Sequence, residues 1–368
     1  MRILITGGTG LIGKELCRLL ASERHEIIVL SRNPKAHEMT MPVTARPDII
    51  KLHQWDPSTT EGWGHLIDEV DAVINLAGTG IADARWSAAR KTEIRNSRLQ
   101  AGNILTEAIR DAKNKPKVFI QGSAVGFYGG AQGDTVIDEM GDLGNDFLAK
   151  VCFDWEISTA PIEKMGVRRV ILRTGVVLSN DGGAFPKMVM PFQYYVGGPL
   201  GSGQQWLPWI HWKDEVRAIH FLLTNEEASG VFNLSAPNPL NNKDFSNLLG
   251  NVMGRPAAMA APAIAMQIVL GEMSTLVLDG QRVVPSRLQE LGFTFDYEEA
   301  EDALRELLDK PEEVYAAIDS AVTDSVATES AQTNSTVEDK SSAEQATEVA
   351  SEENAAEASK ESLEKQVA

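Results

Sequence analysis

The sequence predicts an α/β fold: a doubly wound parallel sheet, a smaller C-terminal lobe after it, and a disordered acidic tail. Three observations predict it. Short apolar runs of strand length alternate with helix-period segments through the first half of the chain. The runs are apolar throughout instead of alternating, as strands covered on both faces require. A glycine-rich stretch, GGTGLIG (7–13), separates the first run from the first helical segment.

The elements follow in order. RILIT (2–6) reads as a buried strand, and the segment from Leu11 to Leu20 as a helix whose Leu16, Leu19 and Leu20 face inward. EIIVLS (26–31), DIIKLHQW (48–55), DAVINLAG (71–78) and KVFIQGS (117–123) supply further strands. Between the last two, residues 86–109 place Ile94, Leu99, Ile104, Leu105 and Ala108 at helical spacing. A helix carrying FLAKVCFDWE (147–156) precedes another strand, RRVILRTG (168–175). After about Ser179, glycine and proline become frequent (GGAFPK, VGGPLGSG, APNPLNN), which suggests loops and short elements. The expected organisation is a nucleotide-binding domain over 1–180, a lobe over 181–310 partly interleaved with the sheet, and a tail over 311–368.

Composition bounds the function. With 368 residues, 43% of them hydrophobic, and seven tryptophans, a sizeable core is available. The formal charge of −18 argues against nucleic acid or an anionic membrane as the main partner. Much of that charge lies in residues 311–368, which hold 14 acidic residues against three lysines, with Tyr315 the only aromatic. Such a tail cannot bury enough apolar surface to offset its ordering entropy. Cys17 and Cys152 stand alone, with no CxxC or Cys/His cluster, so neither a metal nor a disulfide framework is expected. The chain starts on a strand instead of a secretory leader. PAAMAAPAIAMQIVLG (256–271) is apolar, but it carries Pro256 and Pro262 and falls short of the roughly 20 residues that span a bilayer. It is expected as a buried helix of the lobe, and the protein as cytoplasmic.

GGTGLIG satisfies G-x-G-x-x-G through Gly8, Gly10 and Gly13 and G-x-x-G-x-x-G through Gly7, Gly10 and Gly13. Between a strand and a helix, this is the dinucleotide-binding loop of a Rossmann-type sheet. It needs a tight turn, close approach of backbone to pyrophosphate, and tight helix–strand packing. The end of the second strand selects between cofactors. An acidic residue there would favour NAD. Here it reads Ser31-Arg32-Asn33, in which Arg32 can pair with a 2′-phosphate and Ser31 can donate to it, so NADP(H) is expected. Arg24 or Lys35 could share that contact.

GGTGLIG, NLAG (75–78) and GSAVGFYG (122–129) together resemble the extended short-chain dehydrogenase/reductases. WIHWKDEVRAIHFLL (209–223) looks like that family's aspartate-opened helix, GVFNLSAP (230–237) like its late strand, and SRLQELGF (286–293) like its C-terminal ending. RWS near Trp86, the Trp155-Glu156 pair, LRTGVVLS (172–179) and GSGQQWLPWIH (201–211) are similar to an atypical branch labelled epimerase-family, or NADP-dependent oxidoreductase, without an agreed substrate. The resemblance covers about residues 1–310. It implies that Gly7, Thr9, Gly10, Leu11, Ile12 and Gly13 line the pyrophosphate, that Asp56 lies near the adenine, and that Leu76, Ala77 and Gly78 pass along a ribose. It also implies a possible homodimer through the long helices near 86–109 and 147–165.

Orthodox members pair a serine after the fifth strand with Tyr-x-x-x-Lys on the next helix, because positions i and i+4 share a face. Ser123 matches the serine. One register then places Leu148 and Cys152 at the tyrosine and lysine positions; another places Cys152 and Glu156 there. Neither restores the pair. Tyr128 and His211 are the candidate proton donors, each with a structural alternative. A core tyrosine explains the first equally well, and a capped histidine before a helix explains the second somewhat better. Cys152 reads more readily as a small hydrophobe, Trp155 as packing, and Lys91 and Arg95 as a solvated face. Arg173 is either a ligand contact or buried against the sheet. The aromatic stretch from Gln204 and Gln205 through Trp206, Trp209 and Trp212 suits a flat polar ligand or staples the lobe. The expected function is an NADP(H)-dependent oxidoreductase acting on a small polar molecule with a non-standard proton relay. A non-catalytic NADP(H) sensor is the alternative, and a nucleotide-sugar epimerase the third.

Overall fold

In the computed structural model, residues 1–37, 41 and 48–309 are described. The expected disordered tail, 311–368, lies outside the described residues. The first half runs β1 (Arg2–Thr6), α1 (Leu11–Ser22), β2 (Glu26–Ser31), α2 (Pro34–His37), β3 (Ile50–Gln54), β4 (Ala72–Asn75), α3 (Ala88–Asp111) and β5 (Val118–Ala124). Then come β6 (Ala131–Ile137), α4 (Phe147–Ser158), β7 (Arg168–Thr174), β8 (Val176–Leu178), α5 (Phe185–Gln193), β9 (Trp206–Leu207), β10 (Trp209–His211) and α6 (Trp212–Thr224). The chain continues through β11 (Gly230–Leu234), β12 (Leu240–Asn241), α7 (Asn242–Met253), α8 (Ala263–Leu270), α9 (Thr275–Leu278), β13 (Gly280–Val283), α10 (Ser286–Glu290) and α11 (Ala300–Leu308).

Seven parallel strands form the central sheet in the order β11-β7-β5-β4-β1-β2-β3. The doubly wound sheet is therefore present as expected, with its last strand drawn from beyond residue 180. Side chains alternate across it. Ile3 and Ile5 of β1 join Leu16 and Leu20 of α1 and Ile219 and Leu222 of α6 in one core. Leu4, Val73 and Phe119 face the other way, onto Ile104, Leu105 and Ile109 of α3. Each such buried aliphatic contributes about 1.5–3 kcal/mol, so two full cores fix the strand ends where a site can form.

Helix starts set the local geometry. Ser87 caps α3 by accepting from the Arg90 amide at 3.1 Å, and Asp146 caps α4 by accepting from the Ala149 amide at 2.8 Å. Helix α1 starts just after Gly10, which offers no side-chain cap, and has no acidic residue in its first turn.

The apolar stretch 256–271 departs from expectation. Its helix, α8, buries none of its residues, and Ile264 and Ile268 are 70% and 71% exposed. Pro262 precedes a two-turn helix that is apolar at every position but Gln267, so whichever side faces the lobe, apolar residues on the others face out. Hydrophobicity alone misplaced it.

Candidate active site

The glycine loop closes on itself and on β4. Gly10 donates to the Gly7 carbonyl at 3.0 Å. Gly7 has φ +72°, and a Cβ there would lie 2.6 Å from the Leu76 carbonyl carbon. At Gly13 a Cβ would lie 2.6 Å from the Gly8 Cα. Side chains are thus excluded where backbone must approach backbone. The uncapped α1 N-terminus leaves its first amides pointing outward with the positive end of the helix dipole, a ready anion cradle. Thr9, Leu11 and Ile12 are half-buried around it and Gly10 is exposed.

The neighbouring strand ends complete the groove. Ser31 is buried and accepts from the Asn33 amide at 3.2 Å. Arg32, beside it, is exposed and forms no ion pair among the described residues. Asp56 follows β3, exposed, and receives Ser58 through its amide and hydroxyl at 2.9 and 2.7 Å, which holds its carboxyl below the usual range. Leu76 and Ala77 are half-buried after β4, and Gly78 is exposed. A Cβ-free cradle, an open helix end and an unpaired cation suit a dinucleotide with an extra phosphate.

Register builds the second half of the site. Ser123 on β5 aligns with Arg173 on β7, which aligns with Asn233 on β11, so three polar side chains form one row. Helix α4 lays Glu156 on that row. Ser123 Oγ donates to Glu156 Oε1 at 2.7 Å, and Arg173 donates through Nε and Nη2 to its two oxygens at 2.9 and 3.0 Å. Tyr128 donates to Asn233 Oδ1 at 2.7 Å. The Arg173 guanidinium also stacks 3.3 Å from the Phe127 ring centroid. Ser123, Glu156 and Arg173 are 6%, 6% and 4% exposed, and Tyr128 is fully buried.

This geometry selects the second register: Cys152 lies beside Ser123 and the Ala124 backbone, and Glu156 occupies the lysine position. The rearranged chemistry differs from Tyr-x-x-x-Lys in sign and in acidity. Burial pushes the Tyr128 phenol up to about 12, and burial with the nearby Glu156 pushes the Cys152 thiol up to about 12. Neither gives up a proton readily at neutral pH. The Ser123 hydroxyl is a weaker acid still, but its hydrogen already points at a carboxylate, so it can pass that proton on only while taking another.

His211 is not brought to this row. It is fully buried, its Nδ1 accepts from the Lys213 amide at 3.2 Å, and its Nε2 meets Glu306 at 3.0 Å. Its ring lies on Tyr297 at 3.9 Å, and burial pushes its pKa down to about 4. With one nitrogen capping α6 and the other held by α11, it corrects the proton-donor expectation in favour of the cap. The aromatic stretch is similarly committed. Trp209 is buried and donates to the Asn238 carbonyl at 3.2 Å, while Gln205 spans the carbonyls of Leu200 and Val277 at 2.9 and 2.8 Å. Trp206 donates to Asp134 at 2.9 Å, and Trp212 is half-buried. Lys91 pairs with Glu272 and Arg95 with Asp154, on the surface as expected.

Residues 3–235 match the sequence model described as the NAD dependent epimerase/dehydratase family. The chain belongs to that family. Residues 261–307 match a second domain, of unknown function. The chain is 40% identical over 310 residues to an Arabidopsis thaliana protein named epimerase family protein SDR39U1 homolog, chloroplastic, covering 84% of this chain and 87% of that protein. It is 39% identical over 308 residues to an epimerase family protein of Staphylococcus aureus, covering 83% and 99%. A crystal structure of human epimerase family protein SDR39U1, isoform 2, with NADPH has a TM-score of 0.74 and 32% identity, covering 84% of this chain and 99% of that one. The resemblance drawn from the motifs is therefore borne out at the level of the epimerase-family branch.

One member of the row escaped the sequence reading: Asn233, a polar residue inside the apolar run GVFNLSAP, whose partner Tyr128 is fixed only by the register of β11.

Proposed function

We propose that the protein binds NADP(H) along the carboxyl ends of β1, β2, β4 and β5 and works as an oxidoreductase on a small polar substrate. The observation that carries the cofactor half is the open α1 N-terminus at Gly10 next to Arg32, a cation without a protein partner among the described residues. The NADPH crystallised with the human relative, at 32% identity, supports the same reading. Gly7, Thr9, Gly10, Leu11, Ile12 and Gly13 hold the pyrophosphate, Ser31 and Arg32 the 2′-phosphate, Asp56 the adenine side, and Leu76, Ala77 and Gly78 the ribose. When bound, NADP(H) supplies or accepts the hydride.

The proton travels through Ser123 and Glu156. In the oxidation direction, the substrate hydroxyl gives its proton to Ser123 Oγ as Ser123 passes its own proton to Glu156. In reduction the same two transfers run backward. Arg173 keeps Glu156 oriented through its two parallel hydrogen bonds. Tyr128 stays out of the transfer, because its hydroxyl hydrogen is directed at the Asn233 oxygen and not at the Glu156 carboxylate. The test is NADPH consumption with a panel of carbonyl compounds, compared between the wild type, Ser123→Ala and Glu156→Gln. Turnover lost in both variants with NADPH affinity retained supports the relay, and full turnover in Glu156→Gln contradicts it.

The near-complete burial of Ser123 favours a second reading, a non-catalytic NADP(H) sensor. It predicts tight NADPH binding with no turnover of any carbonyl compound in the panel. An epimerase acting on nucleotide sugars fits less well, because that chemistry also calls on the missing tyrosine. Among the described residues no helix is long and apolar enough to cross a membrane, and both cysteines are free thiols, which suits the proposed cytoplasmic setting. Phe153 and Ile157, exposed on α4, suit the proposed homodimer.

A further inference from the structure

We propose that Arg98 of α3 replaces the absent lysine of the family: its guanidinium holds the hydroxyls of the ribose on the nicotinamide side of the cofactor. This deepens the NADP(H) reading and rests on it.

Arg98 Nη1 donates to the carbonyls of Thr79 and Ile94 at 3.0 and 2.9 Å, which pins the head group under the loop after β4. It lies so close to Gly78 that a Cβ there would meet Arg98 Cζ at 3.0 Å. On its other side Arg98 Cζ is 5.0 Å from the Trp155 ring, and Trp155 packs against Gly122 at the end of β5. The guanidinium therefore bridges the cofactor loop and the helix that carries Cys152 and Glu156. Leu76, two residues before Gly78, is the residue that meets Gly7 of the phosphate loop. Arg98 thus sits further along the groove than the phosphates, on the side of Ser123.

Charge accounting singles it out. Its neighbours on α3 are paired: Arg90 with Asp83 and Glu93, Lys91 with Glu272, Arg95 with Asp154. Arg98 has no acidic partner among the described residues, although it is half-buried and burial lowers its pKa. Guanidinium hydrogens that lose water without gaining an acceptor are costly, and although Nη1 has two carbonyls, Nε and Nη2 have no acceptor among the described residues. Those nitrogens are not sealed, since they are absent from the fully buried unpaired atoms, whereas the adjacent Trp155 indole nitrogen is both sealed and unpaired. This wall is short of acceptors, and a ribose diol supplies two. Glu156, standing where the lysine would be, brings the opposite charge and is paired with Arg173. The positive charge that the lysine would bring has moved one helix over.

The test is calorimetric titration of wild type, Arg98→Met and Arg98→Lys with NADPH and with adenosine 2′,5′-bisphosphate, which lacks the nicotinamide half. The proposal expects Arg98→Met to weaken NADPH by at least about tenfold, the loss of a charge-assisted contact, and to leave the bisphosphate within about twofold. Arg98→Lys recovers part of the NADPH affinity. Equal weakening of both ligands, the signature of a disordered loop, overturns it, as does unchanged NADPH affinity in Arg98→Met. Wild-type protein that binds neither ligand overturns the NADP(H) reading itself; wild-type binding with no effect of Arg98→Met removes this inference alone.

Discussion

Ser123 on β5 and Glu156 on α4 share a buried hydrogen bond of 2.7 Å across 33 residues of sequence. An orthodox family member would place a lysine where Glu156 stands, so the local charge is inverted. Arg173 restores neutrality with two hydrogen bonds of its own, 17 residues further along. The three groups form a closed unit, and removing one strands the others.

That gives a stability prediction. Glu156→Ala leaves Arg173, 4% exposed, without its counter-ion. Breaking a buried pair in this way costs about 3–5 kcal/mol. Denaturant unfolding of Glu156→Ala, Arg173→Met and the double variant measures it. The double variant is expected to be less damaged than the sum of the two singles. A loss below about 1 kcal/mol in Glu156→Ala would show that the unit does not hold the sheet end together.

The glycine loop makes a sharper demand. Gly13→Ala must push a methyl into the Gly8 Cα, 2.6 Å away, at the point where α1 meets β1. Binding of NADPH is expected to fall by at least about a hundredfold, more than fold stability falls, because the loop backbone itself is the ligand surface. Ser22→Ala, exposed at the far end of α1, is the control. Fluorescence titration of both variants decides the point.

Glu215 sets a pH dependence. It is 1% exposed, accepts from Thr174 at 2.9 Å through one oxygen, and has no partner for the other among the described residues. Burial pushes its pKa up to about 8 from an ordinary 4.5. Between these values the unfolded chain is ionised and the folded one holds the proton. The contribution to stability is full below about pH 4.5 and is lost as pH rises toward 8. It amounts to a few kcal/mol at most. Glu215→Gln should remove the decline between pH 6.5 and 8 in a series of melting temperatures. An unchanged slope would mean that Glu215 is not the group responsible.

His211 acts in the opposite sense. Its pKa falls from 6.5 to about 4 on folding, so the unfolded chain binds the proton first as pH drops. Its contribution is present above about 6.5 and is lost between there and about 4, on the order of 3 kcal/mol. Over pH 4.5–6.5 it offsets Glu215, and the wild type should show a flat profile there. His211→Asn, which keeps a cap for α6, should expose the downward slope that Glu215 imposes as pH rises.

Much of this was legible in the sequence, for identifiable reasons. Strands such as RILIT and EIIVLS are buried on both faces, so their continuous apolar runs survive as a signal. GGTGLIG was readable because each glycine answers a local steric demand. The Glu156–Arg173 pair was not, because it depends on the register between β5 and β7 and on the angle of α4. Arg98 looks like any other basic residue of α3 until its neighbours are seen to be paired. His211 was misleading as a proton donor because capping and catalysis both favour a polar residue before a helix. The stretch 256–271 failed because composition reports hydrophobicity and not which side of a two-turn helix meets the lobe.

The central claim is recognition of NADP(H) by Ser31 and Arg32 above the open end of α1. Calorimetric titration of the purified protein with NADPH and NADH, repeated for Arg32→Ala, tests it most directly. The account predicts that NADPH binds at least about tenfold more tightly than NADH and that Arg32→Ala removes most of the difference. Equal affinity for the two nucleotides in the wild type, or binding of neither, would contradict it.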